Sequence, residues 1–248
     1  MYNLIKTEIF ILFKSYSFKI LAFCSFITGC LVVLFNFLNV VNENVTGFYF
    51  VIACQEVTFF NMVFGCLFAA SFICSGFKRM TYDNSLLSGN SRLNVFFAKF
   101  IVSLAGMFIL SVMAAIVPFI KVLIDGTAIN PGNEGINYIL LDLFYALAGL
   151  LAQFSVIIFL AVALKSGTVA TAVGIGFTYI LLVIKANMRF YEKPAIEPYV
   201  KYIYLHQVEM YRLREDGFLA GPYLAVIIGT FILTLILSAW IFVKRELK

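Results

Sequence analysis

The sequence predicts an all-α integral membrane protein with six transmembrane helices, and three observations carry that prediction. Of its 248 residues 62% are hydrophobic and only 12% charged, against about 45–50% and about 25% in an ordinary soluble domain. A chain this apolar has too few polar groups to cover its surface in water. Apolar runs long enough to cross a bilayer recur along the whole chain, and the basic residues gather at the ends of those runs. With no water in the hydrocarbon layer, each run has to satisfy its backbone internally, which makes the runs helices. The 28 phenylalanines suit a lipid-facing surface. Residues 1–248 read as a single transmembrane domain.

Residues 1–19 open the chain. Asn3, Lys6, Thr7, Lys14 and Ser17 fall on one side of a helical wheel, and Ile5, Ile9, Leu12, Phe13 and Tyr16 on the other, with Phe10 intruding on the polar side. That pattern predicts an interfacial helix with its lysines among anionic lipid headgroups. The alternative is a plain extension of the first span with snorkelling lysines. The N-terminal lysines and the length of the next apolar run give no sign of a cleavable signal peptide.

The first span is expected over 20–41, followed by a polar link from Asn42 to Gly47 and a mildly apolar stretch to Glu56. The second covers 57–77 and runs into a basic polar break, Lys78 to Arg92. The third covers 95–123, with Pro118 placed to kink its outer part. Turn formers Gly126, Pro131, Gly132 and Gly135 separate it from the fourth, 138–164. Lys165-Ser166-Gly167 turns tightly into the fifth, 168–184. Small residues Ala146, Gly149, Ala152, Gly167, Ala170, Gly174 and Gly176 are expected to face one another across that hairpin. Residues 185–218 form a long polar loop on the outer side. The sixth span, 219–243, ends with Trp240 at headgroup depth and the basic tail Lys244 to Lys248.

Six spans put both termini on one side. That side holds eleven basic residues: Lys6, Lys14, Lys19, Lys78, Arg79, Arg92, Lys99, Lys165, Lys244, Arg245 and Lys248. The other holds seven, six of them in the long loop. The positive-inside rule therefore places the termini and the polar break in the cytoplasm.

Several chemistries are missing from the sequence. There is no Walker A pattern, no HExxH and no GxSxG. The five cysteines form no CxxC pair, and with one histidine in the chain they read as small hydrophobes rather than metal ligands. No basic stripe of the kind that binds nucleic acid is present. Ionisable groups are rare within the spans. Asp142 and Lys99 are the main ones, and both are placed where they can reach the interface, so the proton or ion path of a secondary transporter is not indicated.

The polar break then becomes the natural contact for a partner. Thr81 or Asp83 can cap a short helix, and Ser88-Gly89 can end it, because glycine accepts left-handed geometry. Leu86 and Leu87 would be offered to whatever lies beneath, unless they tuck into the bilayer edge.

With these features the chain resembles the permease subunits of ABC-2 type exporters. The likeness rests on the six-span layout without a nucleotide-binding domain, on Leu4-Ile5-Lys6-Thr7-Glu8, and on Tyr82 to Arg92 followed by Phe96-Phe97-Ala98-Lys99. In that family the first segment is an amphipathic helix with an acidic residue, and the second is a coupling helix seated in a groove of the ATPase. The resemblance implies ATPase contacts at Tyr82, Asp83, Leu86, Leu87, Ser88, Gly89 and Arg92, and an interfacial helix marked by Lys6, Glu8 and Lys14. The family pattern has more residues before the leucines than Asn84-Ser85 provides. It also implies two ATPase subunits holding ATP and Mg, no cofactor on this chain, and a second permease, identical or related. A re-entrant helix pair between the fifth and sixth spans, a location in the bacterial plasma membrane, and export of an amphipathic substrate such as an antimicrobial peptide follow by the same analogy. The competing expectation is a stand-alone channel or sensor subunit with no ATPase.

Overall fold

The computed structural model describes residues 1–39, 46–78, 86–125, 136–190 and 220–244. Seven helices fill them: α1 (Tyr2–Lys14), α2 (Tyr16–Asn39), α3 (Thr46–Lys78), α4 (Arg92–Asp125), α5 (Ile136–Leu164), α6 (Gly167–Phe190) and α7 (Ala220–Lys244). Among the described residues five segments are long and apolar enough to cross a membrane: Tyr16–Leu34, Phe60–Phe77, Arg92–Ile120, Leu147–Leu164 and Gly221–Lys244. Among the residues whose side chains are described, α6 contributes a further apolar segment, Gly167–Ile180.

The helices differ from the expected spans at their edges. α3 begins at Thr46, so the stretch expected to link the first two spans is mostly helix. Its residues Phe48 to Ala53 are apolar enough to continue the second span. α6 runs to Phe190, so the long loop begins later than residue 185. α4 continues as helix through Pro118 to Asp125. The expected re-entrant pair lies outside the described residues.

α3 and α4 together form the centre of the bundle. In lipid the helices gain nothing by hiding apolar surface from one another, so close packing has to hold them together. Glycine notches provide that packing. The Phe68 ring of α3 lies 2.6 Å from where a Cβ would stand on Gly106 of α4, and Phe154 of α5 lies at the same distance from a Cβ on Gly65 of α3. Further along α4, a Cβ on Gly29 of α2 would run into the Ala114 carbonyl oxygen. The glycines of α6 behave differently from expectation. Gly167 and Gly174 face Ala70, Cys74 and Cys66 of α3 rather than the hairpin partner α5, and Gly176 has nothing within 4 Å of an added Cβ.

Polar side chains fasten the same seams. Ser25 Oγ donates to the Leu110 carbonyl at 2.7 Å, joining α2 to α4. Gln153 Nε2 donates to Thr178 Oγ1 at 2.9 Å, joining α5 to α6. Thr234 Oγ1 donates to Ser155 Oγ at 2.8 Å, and the Tyr223 hydroxyl to the Tyr145 carbonyl at 2.6 Å, joining α7 to α5. In hydrocarbon a polar group without a partner is costly, so each of these bonds fixes helix register as well as contact.

Candidate functional site

The site is built where α4 begins. Leu86 and Leu87 have helical geometry, and the chain turns at Ser88 and Gly89. Gly89 has φ +83° and its N–H donates to the Leu86 carbonyl at 2.9 Å. The glycine therefore ends a short helical segment in the left-handed conformation that other residues resist. Ser91 then starts α4. Its Oγ accepts from the Asn94 N–H at 3.3 Å and its carbonyl from the Val95 N–H at 3.1 Å, the pattern of a helix N-cap.

The two leucines are treated oppositely. Leu86 packs against the main core, whereas Leu87 is 86% exposed. Tyr82 and Asp83, which belong to the same expected contact surface, lie outside the described residues. Ser88 is exposed beside Leu87.

Arg92 turns out to hold the turn to the bundle. Its Nη1 donates to the Val243 carbonyl at 2.9 Å, across 151 residues of chain. A guanidinium placed on the last carbonyls of a helix satisfies an acceptor that the helix itself cannot, and meets the negative end of the helix dipole. The sequence expectation had Arg92 facing the ATPase; here its guanidinium bonds to the end of α7.

Other contacts gather at this end. Phe242 lies 5.6 Å from Phe96 and 6.0 Å from Phe77, ring centre to ring centre. Lys165, in the turn between α5 and α6, places its ammonium 5.7 Å from the Phe77 ring. The left-handed position in that turn falls on Lys165 itself, at φ 54°. Lys244 lies 4.5 Å over Trp240, which is 55% exposed, as expected of an aromatic and cation at headgroup depth.

α1 completes the corner, and it is not a continuation of α2. Ser15 between them has extended backbone, φ −67° and ψ 122°. The face of α1 turned to the protein carries Leu4, Ile5, Glu8 and the fully buried Leu12. The outward face mixes Lys6 and Lys14 with Tyr2, Ile9, Phe10 and Phe13, and Lys14 leans on the Phe10 ring at 5.6 Å. The amphipathic wheel is thus rotated from its expected setting, because the acid belongs to the packed face.

The reason is Lys99. Its Nζ donates to Glu8 Oε2 at 2.6 Å and stands 4.3 Å from the centre of the Phe72 ring. The two side chains are only 7% and 13% exposed. The sequence places Lys99 within reach of the interface and names no partner for it. The available signal was the charge itself, a cation near the start of an apolar helix, which is costly to bury without an anion. The side chain of Asp142, the other ionisable candidate, is not among those described.

What this arrangement offers chemically is an anchored, exposed apolar contact flanked by cations. Among the described residues no three His, Cys, Asp or Glu side chains group to hold a metal. No protein-family model matches the chain, and no curated protein matches it.

Proposed function

We propose that the chain is the transmembrane permease subunit of an ATP-driven ABC exporter, powered by a separate ATPase that docks on the turn from Tyr82 to Arg92. The observation that carries this reading is Leu87: a large apolar side chain, 86% exposed, on a turn fixed by Gly89 at one end and by Arg92 on Val243 at the other. A connecting loop gains nothing from holding a leucine out in this way, whereas a protein groove does. Six spans, with α6 as the fifth, put both termini and the turn in the cytoplasm of a bacterial plasma membrane. Two copies of the chain, or this chain and a related one, enclose the pathway above two ATPase subunits, which hold the ATP and Mg. Closure of the ATPases moves the turns and opens the pathway outward. The substrate class, an amphipathic peptide of the antimicrobial kind, rests on analogy with small permeases of the resembled family.

The test is co-purification with an ATPase encoded beside this chain. Leu87→Asp is expected to lose the ATPase while the permease remains folded in the membrane. Retention of an undiminished, transport-competent complex in Leu87→Asp would sink the docking role. A chain that takes up no ATPase at all, yet passes ions or reports a ligand, would be the stand-alone channel or sensor subunit instead.

A further inference from the structure

The first two turns of α4 are held at both ends. At Arg92 they are tied to the end of α7. At Lys99, seven residues or about 10 Å further along the helix, they are tied to α1 through Glu8 and to α3 through Phe72. The contacts continue beyond Lys99 without a gap. Phe72 stacks on Phe68 at 5.4 Å and 22°, and Phe68 lies over Gly106 and 5.4 Å from Phe18 at the start of α2. Leu12 of α1 covers the same glycine, with a methyl 3.3 Å from an added Cβ.

We propose that Glu8 and Lys99 are positioning residues for the turn at Leu86–Arg92, acting as a clamp that makes α1 and the base of α4 one rigid unit. The physical reason is the cost of separating them. With Glu8 and Lys99 both largely out of solvent, neither charge can be left alone without a penalty far larger than that of losing an exposed pair. α4 cannot tilt at its base unless α1 follows, because tilting strips the ammonium from both its carboxylate and its aromatic face. A load applied at Leu87 therefore reaches α1, and through Leu12 and Phe18 the start of α2, before it reaches the rest of the bundle. The clamp rests on the proposed docking only for the source of that load.

The experiment is amide hydrogen exchange on the full chain in lipid nanodiscs, read over α1 and over residues 86–95. Glu8→Gln keeps a hydrogen-bond acceptor but removes the charge, and exchange is expected to rise at least about tenfold in both segments together. The exchanged pair, Glu8→Lys with Lys99→Glu, remakes the ion pair without the cation on Phe72, and is expected to restore part of the protection in both. It also serves if the single variant fails to fold. A rise confined to α1, with 86–95 unchanged, would overturn the clamp, as would an exchanged pair that leaves both segments unprotected. The readout needs no ATPase. If Leu87→Asp leaves the complex intact the docking falls and the clamp stands; if 86–95 ignores Glu8→Gln the clamp falls and the docking stands.

Discussion

Leu86 and Leu87 are identical neighbours with different surroundings, and that difference can be measured. Leu86 packs against the core, so Leu86→Asp puts a carboxylate among apolar side chains and is expected to cost about 2 kcal/mol or more, read as a lowered midpoint in denaturant titration of the purified chain. Leu87 is exposed, so Leu87→Asp is expected to move the same midpoint by less than about 0.5 kcal/mol. Equal losses from the two would show that the turn is not anchored as described. Gly89 gives a cleaner case. An added Cβ meets nothing within 4 Å, so Gly89→Ala costs only the left-handed backbone, about 1–2 kcal/mol, with no packing contribution. The sequence made the glycine legible as a helix end, since that role is local. It could not separate the leucines, because which of them faces the core depends on where α4 and α7 lie.

At the scale of the helix, the sequence made existence and order plain and partners obscure. Long apolar runs specify helices in lipid almost without regard to detail, so α2, α4, α5 and α7 coincide with expected spans to within a few residues. Runs of small residues say that some neighbour comes close, yet not which one. Gly167 and Gly174 were expected against α5 and face α3. Gly29, which the sequence does not single out, marks one of the tightest contacts, an added Cβ there running into the Ala114 carbonyl. Gly29→Val is therefore expected to push α2 off α4, to break the Ser25 bond to Leu110, and to cost about 1–3 kcal/mol. Unfolding in mixed detergent micelles measures it. The same substitution at Gly176, where the space is open, is the control and is expected to leave the midpoint nearly unchanged. Glu8 and Lys99 show the same limit from the charge side. Each was visible as a charge at the edge of an apolar run, but a pairing across 91 residues of chain belongs to the tertiary structure.

For the whole molecule the arrangement of charge gives a prediction about direction. The helix contacts bring the start of α4, the turn after α5 and the end of α7 to one end of the bundle, since Arg92 bonds to Val243 and Phe77 touches both Phe242 and Lys165. Three basic residues from separate parts of the chain, Arg92, Lys165 and Lys244, thus share an end, and α1 adds Lys6 and Lys14. The positive-inside rule counts residues of this kind, close to span ends and in short connections. Among the described residues the acid at this corner is Glu8, and it is paired with Lys99, so it takes nothing from the bias. The leucine at Leu87 stands at the same end, which makes it a reporter of side. In cells that make the chain without the ATPase, and with the native cysteines replaced, Leu87→Cys is expected to react with a membrane-impermeant maleimide in inside-out vesicles and to be protected in intact cells. Because the side chain is exposed, absence of labelling in intact cells cannot come from burial, and the Gly176→Cys variant within α6 supplies the lipid-shielded reference. Labelling of Leu87→Cys from outside would reverse the bundle. It would put the turn out of reach of any cytoplasmic ATPase, removing the proposed docking along with the orientation.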